Sequence, residues 1–477
     1  MPVTKRVKRK DRIYKKPSIN SDSFDVRRFH QLYTASQGMK DVREKGKDLP
    51  MFDNLIGDVW SSFYKSSPEL LPDDKQSPDV QSNAEMVGNM LNDDSFQSVH
   101  ENTQFDDLMS GLSTINYSGK IFEWIDERRK ENEEMDDAMN QAQDKKEEHG
   151  EDSDEFQQAM EGVSSAIQQE VDHTGGELSK MLQQAQEEAK KQKKDVEELL
   201  GGIQSGTADS ALKEVPLREQ FNLAEQLKSN KQMKEVAKWA GRFKRIAKSK
   251  QKSISKQSIS KSGITTGNEI DRLLPSELLN YAIPEAKADF LRRFTEGQTL
   301  QHDSKGKESL GRGPIILCLD QSGSMDYLDQ QSKGFLLALM SIAKFQKRDF
   351  AYIPFSIKAR PYKEYPKGKI TPSEMTRIAT EFMGGGTNFV YPLRESLKAI
   401  QKNRFKNADI IFVTDGNDNM KNSFLQEFQD RKKKDGFSVI SLLIGPHASR
   451  QTVSQFSDRV HHAKNFAEND AHEVFDF

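Results

Sequence analysis

Ile315-Ile316-Leu317-Cys318-Leu319 runs directly into Asp320-Gln321-Ser322-Gly323-Ser324. Five successive apolar residues suit a strand buried on both faces, the situation of a central strand in a parallel sheet. The stretch that follows alternates regularly. Phe335, Leu336, Leu339, Ile342, Ala343 and Phe345 stand at helical spacing, and Phe350–Phe355 reads as a second strand. A short edge strand near Ala359–Tyr365 and helices at Pro372–Phe382 and Val390–Gln401 come next. Strand Asp409–Thr414, helix Ser423–Lys433, strand Phe437–Ile444, helix Arg450–Phe456 and a strand near Val460–Ala463 complete the series. Strands alternating with helices predict an α/β fold, a doubly wound, mostly parallel sheet covered on both faces, over residues 311–477. Ligands of such sheets bind beyond the carboxyl ends of the strands, where the winding reverses.

Three loops at those ends carry chemistry. They are Asp320-Gln321-Ser322-Gly323-Ser324, then Gly384-Gly385-Gly386-Thr387-Asn388, then Thr414-Asp415-Gly416. Asp320, Ser322, Ser324, Thr387 and Asp415 are all hard oxygen donors, and no His or Cys joins them. Such a set suits octahedral Mg²⁺ or Mn²⁺ better than Zn²⁺. Three of the five donors are neutral, so an acidic group from a partner is expected to fill an open coordination position.

The order Asp320-x-Ser322-x-Ser324, Thr387 after glycines, and Asp415 in a Thr-Asp-Gly turn resembles the metal-ion-dependent adhesion site of von Willebrand factor A domains. The resemblance covers about 160 residues. It implies that the two serines and the threonine ligate the ion directly and that the aspartates act through water. Just upstream, Gly267-Asn268-Glu269, Arg272-Leu273-Leu274-Pro275-Ser276-Glu277 and Phe290-Leu291-Arg292-Arg293, with Gly311-Arg312-Gly313-Pro314, resemble bacterial intracellular A-domain proteins of the CoxE-like and ViaA-like type. That resemblance implies an adaptor working beside a MoxR-type AAA+ ATPase. It does not reach residues 1–210.

Several enzyme classes are disfavoured by the same residues. A haloacid dehalogenase phosphatase needs a second carboxylate two residues after its aspartate, where this chain has Ser322. No Gly-x-Ser-x-Gly elbow surrounds Ser322 or Ser324, and no Gly-x-x-x-x-Gly-Lys-Ser/Thr occurs in the chain. Cys318 reads as a small core residue. His447, His461 and His462 read as surface or packing residues. A non-enzymatic interaction module is therefore expected, with any ATP hydrolysis supplied by another protein.

Over all 477 residues, hydrophobic residues make up 34% and charged residues 30%, so one large core is not expected. The formal net charge is −3, which implies no general attraction to nucleic acid or an anionic membrane. With one cysteine no internal disulfide can form. No run approaches the ~18 apolar residues of a membrane span. The basic Met1–Lys16 stretch lacks a following apolar segment, so it is not read as a secretory signal. A cytoplasmic protein is expected.

The region before the sheet is expected to be long, mainly α-helical and partly disordered. Residues 1–20 read as a basic disordered tail, and 21–120 as short helices and loops with a poor core. Residues 121–205 read as an acidic helical segment. In it Leu178, Leu182, Ala185, Ala189, Gln192, Val196 and Leu199 form a heptad seam, ended by Gly201-Gly202. Two alanines and a glutamine weaken that seam, which favours packing on its own chain over a homodimeric coiled coil. Residues 211–262 read as a helix with Phe221, Leu223, Leu227, Val236, Trp239 and Phe243 inside, leading into a basic Ser-rich run, Arg242–Lys261. That run is either a solvated helix end and linker or a docking element for an acidic partner, such as residues 131–160. Residues 263–310 read as a helical block packing on the α/β domain. In it Asn268 caps a helix holding Ile270, Leu273 and Leu274, and Pro275 and Pro284 break it. Trp60, Trp124 and Trp239 are expected to anchor helix packing. Two other functional classes stay open: a scaffold built on the charged helices with a purely structural metal, and weak nucleic-acid association through residues 1–16 and 242–261.

Overall fold

The computed structural model describes residues 13–201, 212–257, 264–270, 273–302, 313–416, 418, 420–445 and 450–476. The basic stretch before residue 13, Gly202, residues 258–263, Arg272, Gly311, Arg312 and His447 lie outside them. Of the described residues, 13–201 with 212–238 form one compact unit and 239–476 a second.

The first unit is helical: α1 (Ser23–Ala35), α2 (Gln37–Lys45), α3 (Phe52–Tyr64), α4 (Gln81–Leu91), α5 (Phe96–Thr103), α6 (Asp107–Glu131), α7 (Glu133–His149), α8 (Asp154–Leu200), α9 (Leu217–Ser229) and the start of α10 (Lys231–Gln257). Its core is well filled, contrary to the expectation for residues 21–120. Phe29, Phe52, Trp60, Phe63, Tyr117 and Trp124 are all buried. The reason lies in small polar residues on the buried helix faces. Ser61, Ser62, Ser82, Ser110, Ser113 and Thr114 are buried, and the Ser62 and Thr114 hydroxyls donate to the carbonyls of Asp58 and Ser110 one turn back. Gly111 lets Phe221 of α9 approach so closely that a Cβ there would lie 2.5 Å from the ring. A hydrophobicity reading counts such faces as exposed. The boundary expected at residue 120 falls inside α6.

The seam in α8 is one part of a longer stripe. Phe156, Met160, Val163, Ile167 and Val171 continue it toward the N-terminus, and with Leu178, Leu182, Ala185, Ala189, Val196 and Leu199 they are buried against α4, α6 and α7 of the same chain. Gly201 caps the helix.

The second unit begins within α10. Over residues 242–250 the basic stretch is helix with one packed face, Phe243, Lys244 and Ala247 being buried; residues 258–261 of that run lie outside the described residues. The Phe243 ring meets Phe335, His472 and Phe475, and Lys250 pairs with Glu473 at 2.7 Å. The side chains of residues 251–257 are not among those described.

A small antiparallel pair, β1 (Ile264–Gly267) and β2 (Thr299–His302), brackets α11 (Pro275–Ala282) and α12 (Pro284–Thr295). As expected, the prolines divide the block into short pieces: each opens a helix at the first turn, where no backbone donor is needed, after an extended Leu274 or Ile283. Glu277 is buried and clamps the module, accepting from both terminal nitrogens of Arg293 and from Leu300 N. The principal contacts of this block run among its own members, and Leu278, Leu279, Tyr281, Ile283 and Leu291 are exposed.

The α/β domain has the doubly wound, mostly parallel sheet expected. Its strands are β3 (Ile315–Asp320), β4 (Phe350–Phe355), β5 (Lys363–Tyr365), β6 (Asp409–Thr414), β7 (Ser438–Ile444) and β8 (Arg459–Ala463), in the order β5-β4-β3-β6-β7-β8. Only β5, at the edge, runs antiparallel to its neighbour. The helices are α13 (Asp329–Phe345), α14 (Pro372–Thr380), α15 (Val390–Ile400), α16 (Asn422–Asp435), α17 (Arg450–Ser454) and α18 (Asn469–His472). Alternation along β3 sends Ile316 and Cys318 to a core with Phe389, Leu393, Phe412, Phe428 and Phe456, and the intervening residues to the opposite face. From β3 the chain winds outward to β4 and β5, then returns to β6 on the other side. The winding therefore reverses between β3 and β6.

Among the described residues, no helix is long and apolar enough to cross a membrane.

Candidate metal centre

Asp320 ends β3 and Thr414 ends β6. The parallel register pairing Leu319 with Val413 sets them side by side at the reversal point. The Thr414 hydroxyl donates to Asp320 Oδ2 at 2.5 Å, and Ser322 N donates to Oδ1 at 2.8 Å. Both oxygens of the fully buried Asp320 are thus held by protein donors. The loop after β3 is fastened on two sides. Gln321 N donates to Phe355 O, Gly323 N to Gly385 O, and Gly384 N to Gln321 O, at 2.7, 2.7 and 2.9 Å. Gly384 and Gly385 have φ of +67° and +90°, the left-handed region where glycine carries no steric penalty.

The hydroxyls follow from this zipper. Ser322 Oγ lies 3.2 Å from Ser324 Oγ, and Ser324 donates to Asp415 Oδ1 at 2.9 Å. Thr387 is brought against the third loop, its Oγ1 3.1 Å from where a Cβ on Gly416 would stand. The structure therefore links Asp320, Ser322, Ser324 and Asp415 by hydrogen bonds and places Thr387 beside them.

Burial pushes the Asp320 carboxyl up to about 6, against the hydrogen bonds from Thr414 and Ser322, with nearby Asp415 adding to the rise. Asp415 is also raised, chiefly by burial. Burial and Asp415 together raise the Tyr327 hydroxyl as well. Among the described residues, neither carboxylate pairs with a lysine or arginine. Two partly desolvated acids without a countercharge, faced by three hydroxyls, form a donor set that fits a small hard cation. No three His, Cys, Asp or Glu residues converge among the described residues, so the set is not a carboxylate-rich cage or a zinc-type cluster.

Supporting residues not foreseen from the sequence complete the geometry. Thr414 orients Asp320. Asn388 Oδ1 caps α15, accepting from Val390 N and Tyr391 N, while Asn388 N donates to Ser356 O. Asp418 accepts from Phe389 N at 2.7 Å and so ties the third loop to the second. Thr414 and Asn388 adjoin motif residues, which is a usable signal. Asp418 has none, because its partner is 29 positions away. Cys318 is fully buried beside Ser396, its thiol pushed up to about 12 by desolvation, and is no nucleophile. His462 bonds the Gly445 carbonyl at 2.8 Å.

No family model matches the chain. It is similar to two uncharacterised proteins of Methanocaldococcus jannaschii. One is 26% identical over 466 residues, 96% of this chain and 98% of the relative. The other is 33% identical over 263 residues, 54% of this chain and 66% of the relative. Among solved structures, proximal thread matrix protein 1 of the mussel byssus matches with a TM-score of 0.29 and 19% identity, over 35% of this chain and 47% of that one. BatB of Bacteroides thetaiotaomicron gives 0.28 and 13%, over 34% and 95%. A von Willebrand factor type A protein from Catenulispora acidiphila gives 0.28 and 16%, over 35% and 42%.

Proposed function

We propose that this chain is a non-enzymatic, metal-dependent protein-interaction module that serves in the cytoplasm as an adaptor for a MoxR-type AAA+ ATPase. The observation that carries the metal reading is the buried Asp320 and half-buried Asp415 at the reversal point of the sheet, neither paired with a lysine or arginine among the described residues, with Ser322, Ser324 and Thr387 beside them. In this reading the three hydroxyls ligate Mg²⁺ or Mn²⁺, and Asp320 and Asp415 hold it through water. Asp320 suits that role because the backbone of Ser322 and the hydroxyl of Thr414 fix both its oxygens. The ion's chemistry would be Lewis-acid affinity for a carboxylate, offered by a partner. The ATPase part rests on the sequence resemblance of residues 263–314 alone.

Two measurements test this. Manganese electron paramagnetic resonance should report one bound Mn²⁺ in the intact protein and none in Asp320→Ala or Thr387→Ala. Affinity capture in Mg²⁺, with mass spectrometry, should then recover an AAA+ ATPase with the intact protein and lose it with the variants or on chelation. Equal recovery by the folded variants would refute the adaptor reading and leave the ion a structural role.

A further inference from the structure

Between residues 313 and 476, four large apolar side chains among the described residues are exposed: Tyr327, Phe345, Ile357 and Tyr391. Phe345 ends α13, which starts at the metal loop and runs away from it for 17 residues. The other three adjoin the loops of the candidate centre, Tyr327 in the turn after β3, Ile357 after β4 and Tyr391 at the start of α15, with 68%, 55% and 48% of their surface open. A few exposed apolar residues scattered over a surface need no explanation, but a cluster around one polar centre does.

Each is held in place by that centre's own loops. Tyr327 lies in the 3₁₀ turn Gly323–Leu328, which carries Ser324. A Cβ on Gly445 would stand 3.6 Å from its hydroxyl and 4.0 Å from Asp415 Cβ, which sets Tyr327 beside Asp415. Ile357 follows Ser356, the acceptor for Asn388 N, and packs along Gly385 and Gly386, whose built Cβ atoms would be 3.5 and 3.4 Å from it. Those glycines lay no side chain over Ile357, which stays exposed. Tyr391 stands in the first turn of α15, capped by Asn388. Lys358, next to Ile357, and Lys421, at the start of α16, are exposed at the same end of the sheet.

We propose that Tyr327, Ile357 and Tyr391 form an apolar rim that selects a partner segment whose metal-directed Asp or Glu is flanked on both sides by aliphatic or aromatic residues. This rests on the metal-dependent reading of Asp320, Ser322, Ser324, Thr387 and Asp415. Charge complementarity fits the same occupant at the centre itself, where a bound cation outweighs the two aspartates toward a carboxylate; around it exposed Lys358 and Lys421 favour an acidic segment and exposed Asp326, beside Tyr327, opposes it. A free carboxylate metabolite would leave the rim uncovered. A peptide with apolar flanks covers it.

The test is an array of dodecapeptides with a central Glu, probed with the full chain in Mg²⁺. Its flanks are Leu, Phe or Ser, and each peptide has a counterpart carrying Gln for Glu. Apolar-flanked Glu peptides should bind about tenfold or more tighter than Ser-flanked ones, the size expected from burying one or two apolar side chains. Tyr327→Ser, Ile357→Ser and Tyr391→Ser should each erase much of that preference while Mn²⁺ binding, read by paramagnetic resonance, stays unchanged. Loss of Mn²⁺ binding by the intact protein would sink the underlying metal reading. Normal Mn²⁺ binding with no preference for apolar flanks would overturn the rim proposal alone, as would equal binding of the Gln peptides. Concentration-dependent self-association abolished by the three serine substitutions would also overturn it, assigning the rim to a second copy of the chain.

Discussion

Among the described residues, Asp58 and Asp320 are both fully buried carboxylates without a paired cation, yet their surroundings use them differently. Asp320 opens toward Asp415 and three hydroxyls at a loop cluster. Asp58, in α3, is sealed: Tyr14 donates to its Oδ1 at 2.7 Å, and Ser18 donates through its amide at 3.0 Å and its hydroxyl at 2.8 Å. Burial still outweighs these bonds and pushes the Asp58 carboxyl up to about 7. An unfolded aspartate titrates near ~3.9, so between about pH 4 and 7 the folded chain holds a proton that the unfolded chain has lost. Stability from this group is therefore greatest at low pH and is lost as pH rises through 7. Urea unfolding should show the first unit losing roughly 2–3 kcal/mol between about pH 5 and 8 through Asp58. Asp58→Asn keeps the acceptor for Tyr14 and should flatten that slope; an unchanged slope would mean Asp58 is already ionised when folded. The sequence conceals this residue, since Tyr14 and Ser18 stand 44 and 40 positions away. The candidate donors stand out in the sequence for the opposite reason: each ends a strand, or lies in the loop just after a strand or a glycine run.

At the scale of elements, legibility follows how strongly a segment is patterned. Strands β4 and β6 have the bounds that their apolar runs predict, and the helices of the α/β domain agree to within two residues at most ends. The stripe of α8 is visible because its members repeat at intervals of three and four. Helices α3 and α6 hide their buried faces behind serine, threonine and glycine. The basic half of α10 reads as linker because its lysines outnumber the aromatic and alanine positions that pack. Since the α8 stripe is buried against α4, α6 and α7, it is a core seam, not an oligomer interface. Leu182→Ala should cost about 2–5 kcal/mol in denaturant unfolding, with a midpoint independent of protein concentration. A midpoint that rises with concentration would place the seam between chains instead.

On the scale of the whole molecule, the modest apolar content does not mean a poor interior; it is divided between two units built on different rules. One is a helical unit that packs through small polar faces and long stripes. The other concentrates its apolar residues in a sheet whose central strands are buried on both sides, leaving the polar loops at one end free to hold the donor set. A cation bound there stabilises only the state that presents those donors, by ~2.7 kcal/mol at a hundredfold excess over its Kd. The donors come from three loops, so the gain should be local to them. Hydrogen exchange in saturating Mg²⁺ should slow at residues 320–328, 384–389 and 414–416, and stay unchanged across residues 13–201. Asp320→Ala should show neither the slowing nor a magnesium-dependent rise in the melting temperature of the α/β domain. Slowing that spread through the helical unit would contradict a locally acting ion. Slowing in neither unit would leave the uncompensated aspartates without the partner their burial calls for.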